Sequence, residues 1–219
     1  MQNKDQININ DILIIGMSPG NGYFKQEVIN KLLPFGLNKY KNIIIFIPDI
    51  PAIATYVALG YPENIARGKK AISQGNNFRN RIQKTIQEKN LDTDKIYIVD
   101  WQQENIEQNK DYKEVFNYLH NLYINNNDFK KDINSATEAV LMNNPFRKKE
   151  ITLQDIEKGT HYILSEFAFM MFLPKHLPEY SDFIYGYHNP WPVWENFIDG
   201  KYDGKKKENL KFILLPDFS

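Results

Sequence analysis

The chain has 219 residues, 42% apolar, 25% charged and 14% aromatic, enough for one domain to bury a core without staples. It has no cysteine, which excludes thiolate nucleophiles, Cys-ligated zinc, iron–sulfur clusters and disulfides. Basic and acidic side chains both number 27, so there is no net field to draw in nucleic acid, and any such contact must come from a local patch.

The first ten residues, MQNKDQININ, lack the apolar core of a signal peptide. Residues 11–16 (DILIIG) form a β-branched run that predicts a buried strand, and Pro19-Gly20-Asn21 supplies the turn after it. Val28, Ile29, Leu32 and Leu33 have helical spacing within residues 26–33. Two further strands are predicted over 42–47 (NIIIFI) and 95–99 (KIYIV), and two late ones over 183–187 (FIYGY) and 211–215 (KFILL). Helices are expected across much of 62–90, 112–124, 131–143 and 153–173. Continuous apolar strands separated by helices imply an α/β domain with a parallel sheet covered on both faces. The longest apolar run, 167–173, is far short of the ~20 residues of a membrane span. The expectation is one soluble, cytoplasmic domain spanning residues 1–219.

Charge is clustered. Residues 64–87 carry Arg67, Lys69, Lys70, Arg79, Arg81 and Lys84 and no acid, whereas residues 92–107 are acidic. A basic helix is usually a solvated face. An acid-free run of this length forgoes the i,i+4 pairing of ordinary surface helices and points to an anionic partner. That partner is either nucleic acid or an acidic protein.

Three segments carry possible chemistry. Gly16-Met17-Ser18-Pro19-Gly20 fits the G-x-S-x-G nucleophile elbow and places a serine on a strand-to-helix turn. Only 17 residues precede Ser18, too few for the strands and oxyanion loop that come before the elbow of an α/β-hydrolase, and no histidine lies in a triad-like motif. A serine hydrolase or esterase is therefore the second reading. Tyr162 and Glu166 are i,i+4 on one helix face, and Glu166 opens the apolar run. Such a carboxylate finds a partner or shifts its pKa, and it is equally well a buried structural group. Tyr185-Gly186-Tyr187-His188-Asn189-Pro190-Trp191-Pro192 reads first as a rigid aromatic loop, whose Tyr–His pair also fits the lining of a pocket at the carboxyl end of the sheet. There is no Walker A loop and no G-x-G-x-x-G.

Together the three segments resemble the cyclodipeptide synthases, which join two aminoacyl-tRNAs into a cyclic dipeptide. The resemblance covers nearly the whole chain. Residues 14–24 resemble the family's G-x-S-x-x-N-x-x-F signature, with Ser18 as nucleophile and Asn21 beside it. Residues 162–166 resemble its Y-x-x-x-E motif, and Tyr187-His188 its tyrosine–histidine pair, as in the subfamily named for Asn, Tyr and His. One departure is Phe167-Ala168, where the family often has a small residue or Leu and then Pro. The resemblance implies a Rossmann-like domain similar to class I tyrosyl- and tryptophanyl-tRNA synthetases, without their ATP motifs. It implies no cofactor, no metal, no membrane and a monomer. The basic stretch falls on the family's tRNA-binding helix, giving Lys69, Lys70, Arg79, Arg81 and Lys84 a role.

The implied chemistry is two-step transfer. Ser18 takes the first aminoacyl group, Tyr162 and Glu166 hold its ammonium, and the second aminoacyl group is transferred to that amine. Cyclisation then releases the product, with Tyr187 assisting proton transfer and Asn21 and His188 organising Ser18 and Tyr187. By position, Ile14, Gly16, Phe46, Asn143, Phe169 and Met170 are expected to line the first side-chain pocket, a mostly apolar one.

Overall fold

The computed structural model describes residues 11–101 and 104–218; the polar opening stretch lies outside them. Five strands, β1 (Ile12–Gly16), β2 (Asn42–Ile47), β3 (Ile96–Asp100), β4 (Phe183–Tyr187) and β5 (Leu210–Leu214), form one sheet in the order β3-β2-β1-β4-β5. Every pairing is parallel. The order reverses at β1, which lies between β2 and β4, and open α/β sheets bind ligands at the carboxyl ends of strands at such a point. Register places Gly16 beside Phe46 and Ile15 beside Gly186, so the ends of β1, β2 and β4 open on one edge.

Alternation along the strands builds two apolar layers. Leu13, Ile15, Ile43, Ile45 and Ile184 face α1 (Gln26–Lys39) and α4 (Ser73–Glu88), which supply Leu32, Leu33, Phe78 and Ile82. Ile12, Ile14, Ile44, Phe46 and Tyr185 face the other side, which is covered by α2 (Asp49–Ala58), α5 (Lys110–Asn125), α6 (Asn127–Met142), α7 (Leu153–His176) and α8 (Pro192–Ile198). Among the described residues no helix is long and apolar enough to cross a membrane.

Several boundaries differ from the sequence expectations for identifiable reasons. Helix α1 continues through Pro34 to Lys39 because Gly36 packs against Ile43 and Leu13 of the sheet. Helix α2 begins directly after Pro48 in DIPAIATYVA, whose mostly apolar composition, with only Asp49 and Thr55 polar and both buried, hides a helical period. Asn109 and Asn126 cap α5 and α6 through their side-chain oxygens and start these helices ahead of the first apolar residues. The 62–90 stretch is helical but not uniform: α3 (Glu63–Ile65) leads into a π-helical segment, Ala66–Ile72, before α4. The Trp191-Pro192 segment starts a helix, α8, with Pro192 in its first turn.

Candidate active site

Strand β1 ends at Gly16, and the chain turns sharply through Ser18-Pro19-Gly20-Asn21. The Asn21 amide donates to the Ser18 carbonyl at 2.9 Å, closing the turn. Gly20 has φ +87°, and a Cβ there would lie 2.5 Å from the Tyr56 hydroxyl, so this position needs glycine on both counts. Asn21 then faces two ways. Its Oδ1 accepts from the Tyr23 amide at 2.9 Å, and its Nδ2 donates to the Tyr187 hydroxyl at 3.1 Å. The asparagine therefore fixes the turn and at the same time ties it to the end of β4.

Helix α7 supplies the opposite wall. A capping box at Thr152 and Asp155 fixes its start, and the helix runs unbroken through Phe167-Ala168. Tyr162 and Glu166 are both buried on it, one turn apart. The Tyr162 hydroxyl lies 2.7 Å from Ser18 Oγ and 2.6 Å from Glu166 Oε1. A phenol has one proton, so it donates in only one of these contacts. With Glu166 ionised, that proton goes to the carboxylate and the Tyr162 oxygen accepts from the Ser18 hydroxyl. The result is a three-residue hydrogen-bonded chain from nucleophile to carboxylate.

The electrostatics single out one group. Burial pushes the Glu166 carboxyl up from its ordinary 4.5 to about 7, against hydrogen bonds from Tyr162 and Ser18 that pull it down. Burial, reinforced by the Glu166 charge, pushes the Tyr162, Tyr185 and Tyr187 hydroxyls well above their usual range, so all three stay protonated at neutral pH. His188 is pushed down to about 4 by burial and is neutral. Its ring stacks on Tyr23 with centroids 4.0 Å apart and meets Phe24 edge-on, so it packs the turn against the end of β4. Glu166 alone in this group changes charge near pH 7.

These residues open into a cleft of about 790 Å³, within the size range of small-molecule sites. Ser18, Asn21, Tyr162, Glu166, Tyr187 and His188 all line it. The structure thus brings all six proposed catalytic residues together. Of the residues expected in the first side-chain pocket, only Asn143 lines the cleft. Ile14, Gly16, Phe46, Phe169 and Met170 are instead buried in the core beneath the turn. Phe46 packs 4.8 Å from Phe169, and a Cβ on Gly16 would lie 2.8 Å from both Phe46 Cζ and the Tyr185 hydroxyl, so aromatic side chains fill that space.

The cleft also has walls that sequence reasoning did not single out. Tyr185 and Trp191 belong to the aromatic segment, but only the register of β4 and the start of α8 turn them inward. Asp132 and Lys201 meet 3.3 Å apart at the cleft wall, with the Tyr202 hydroxyl donating to Asp132 at 2.6 Å. They come from segments about 70 residues apart with no shared motif, so no local pattern announces them.

The basic stretch does not present one outward face. Arg79 pairs with the buried Asp49 at 2.7 Å, and Arg81 donates to the Phe24 carbonyl at 2.8 Å while packing on Phe78. Both guanidinium groups thus have partners within the chain. Lys84 pairs with Glu88 at 3.6 Å on the surface, and Lys69 is exposed. Lys70 sits 4.8 Å over each of two rings, Tyr61 and Phe146.

The site excludes a catalytic triad in this arrangement: the partner hydrogen-bonded to Ser18 Oγ is a tyrosine, and His188 Nδ1 has no hydrogen-bond partner among the described residues. Comparison with known proteins points elsewhere. The sequence pattern of the family described as cyclodipeptide synthase matches residues 4–216. A cyclo(L-leucyl-L-leucyl) synthase from Photorhabdus laumondii is 24% identical over 201 residues, 88% of this chain and 82% of that protein. A cyclodipeptide synthase structure from Staphylococcus haemolyticus superposes with a TM-score of 0.81 at 19% identity, covering 95% of this chain and 91% of the other. A Mycobacterium tuberculosis protein, whose structure demonstrates that cyclodipeptide synthetases are related to type I tRNA synthetases, gives a TM-score of 0.75 at 21% identity, covering 93% and 84%. A cyclodipeptide synthase from Candidatus Glomeribacter gigasporarum, bound to Phe-tRNAPhe, gives 0.59 at 14%, covering 94% and 87%. With its Rossmann-like parallel sheet, its serine turn and a family match over almost its full length, the chain belongs to the cyclodipeptide synthases.

Proposed function

We propose that this enzyme joins two aminoacyl groups, each delivered as a tRNA ester, into a cyclic dipeptide, and that Ser18 carries the growing acyl chain. The observation that carries this reading is the Ser18–Tyr162–Glu166 hydrogen-bonded chain at the switch point of the sheet. Ser18 Oγ attacks the first ester carbonyl, its proton moves onto Tyr162 as the Tyr162 proton moves to Glu166, and as the ester C–O bond breaks that proton is passed to the departing ribose oxygen, which leaves as an alcohol with Glu166 again a carboxylate. The first α-ammonium then finds its counter-charge in the Glu166 carboxylate.

After giving a proton to Glu166, that amine attacks the second ester carbonyl, and the second tRNA leaves as an alcohol with the proton that the amide nitrogen sheds. The dipeptidyl chain closes when its terminal amine attacks the Ser18 ester, breaking the C–O bond. Tyr187, held by Asn21 and kept protonated by burial, is placed to return a proton to Ser18 Oγ. Activation resides in the ester itself, so the scheme uses no nucleotide, metal or other cofactor. We read the enzyme as a single domain working as a monomer in the cytoplasm, where charged tRNA is made.

Incubation with radiolabelled aminoacyl-tRNA tests the scheme: label should stay on the protein, and Ser18→Ala should remove both label and cyclic dipeptide. Label surviving in Ser18→Ala would overturn the nucleophile assignment. A serine hydrolase would instead turn over a p-nitrophenyl ester in the absence of tRNA.

A further inference from the structure

Helix α6 turns one stripe toward the cleft, on which Asp132 and Ser135 precede the small apolar Ala136 and Ala139. The Asp132 Oδ2 accepts from the Tyr202 hydroxyl at 2.6 Å and from the Lys201 ammonium at 3.3 Å, whereas its Oδ1 has no hydrogen-bond partner among the described residues. Lys201 is half-exposed, lies 5.3 Å from the Tyr202 ring and uses one of its donors on Asp132. Burial raises the Asp132 carboxyl, but the Tyr202 and Lys201 hydrogen bonds and the Lys201 and Lys131 charges outweigh it and hold it below its ordinary pKa. The cleft wall therefore presents a free carboxylate oxygen and free ammonium donors side by side. The pair is not what fastens this corner of the fold: Asn126 Nδ2 donates to the Tyr202 carbonyl at 2.8 Å, and the Tyr202 ring packs 5.0 Å from Phe129.

Packing relates this pair to the nucleophile. Helices α6 and α7 run antiparallel: Gly159 faces Thr137 and Leu141, and further along Phe129 meets Phe167 with centroids 6.3 Å apart. Interpolating between these contacts puts Asp132 nearly level with Glu166, on packed helices whose axes lie about 8–10 Å apart. Both side chains line the same cleft. An aminoacyl group on Ser18 with its ammonium at Glu166 has two directions for its side chain. The space beneath the turn is closed by Phe46, Phe169 and Tyr185, all buried. The other direction leads along the cleft to Asp132 and Lys201.

The chemistry of the pair discriminates among side chains. An apolar one would strip water from both charges and return no hydrogen bond. A cationic one would meet Lys201, and an anionic one Asp132, each a like charge. A carboxamide offers N–H donors to Asp132 Oδ1 and a carbonyl oxygen to Lys201, and adds no charge. We propose that Asp132 and Lys201 select a carboxamide side chain, glutamine or asparagine, on the first aminoacyl group. The inference rests on the functional reading above and names the substrate class of that same site.

Ser18 labelling tests it with glutaminyl, leucyl, lysyl and glutamyl groups, each carried on one common tRNA so that only the side chain differs. The wild type should be labelled by the glutaminyl group at least about tenfold faster than by the others, the worth of one hydrogen bond to a charged group. Lys201→Met leaves the Asp132 charge uncompensated and should shift the preference to the lysyl group. Asp132→Asn still accepts from Tyr202, leaves the Lys201 charge uncompensated and should shift the preference to the glutamyl group. Equal labelling of the wild type by glutaminyl and leucyl groups would overturn the assignment, as would a preference that neither variant moves. A uniform loss of labelling by all four groups in both variants would also overturn it, since that marks a structural role. A wild type that no aminoacyl-tRNA labels would overturn the functional reading itself, whereas Ser18 labelled with a different preference overturns this inference alone.

Discussion

Replacing Glu166 by Gln should abolish acyl transfer and yet stabilise the protein at alkaline pH. The Glu166 side chain is buried, and burial is what moves its pKa from 4.5 to about 7. Between those values the folded state binds more protons than the unfolded state, so stability falls as pH rises through this window. At 1.36 kcal/mol per pKa unit, the carboxylate costs about 3 kcal/mol above pH 7 that is absent below 4.5. Glutamine has nearly the same shape, accepts from Tyr162 through its carbonyl oxygen and has no charge to desolvate. Urea unfolding should therefore show the variant gaining on the wild type by about 2–3 kcal/mol between pH 5 and pH 8, most of it below pH 7. His188 titrates in the opposite sense, since its depressed pKa favours the folded state as pH rises towards its ordinary 6.5, but it is present in both proteins and cancels. Mass spectrometry of cyclic dipeptides would show the activity abolished. A stability difference that is the same at pH 5 and pH 8, or a destabilised variant at both, would refute the burial argument and make Glu166 a packing residue.

Tyr162→Phe removes the 2.7 and 2.6 Å contacts at once, so acylation should slow by about 10²–10⁴-fold, and the pH profile should move alkaline because Glu166 loses a bond that lowers its pKa. Single-turnover labelling across pH 6–9 checks both effects. Gly16→Ala drives a methyl into Phe46 and Tyr185 and should cost about 1–3 kcal/mol in urea unfolding, with reduced activity. Arg79→Gln removes a 2.7 Å charged contact to buried Asp49 and should lower stability by about 1–3 kcal/mol while leaving the salt slope of tRNA binding unchanged. A flattened slope with intact stability would return Arg79 to the nucleic-acid surface.

The strands were legible because each is a short apolar run, rich in β-branched residues in β1, β2 and β3, and parallel pairing buries β1, β2 and β4 on both faces. The two ends of the active site were legible for a different reason. Ser18 and Asn21 sit within one turn, and Tyr162 and Glu166 within one helical turn, so local spacing alone puts each pair together. Helix α2 stayed hidden because its composition has no polar face to mark a period, and the starts of α5 and α6 because an asparagine cap, not apolar spacing, sets them. The signs of the charges are written in the residues, but their partners are not. Arg79 and Arg81 read like Lys70, yet the packing of α4 points the first two at Asp49 and the Phe24 carbonyl and leaves Lys70 over aromatic rings. Tertiary structure alone joined Ser18 to Tyr162 across 144 residues, filled the space under Gly16 with Phe46, and set Asp132 and Lys201 in the cleft wall. Contacts between distant segments depend on strand order and register, which no local pattern of residues encodes.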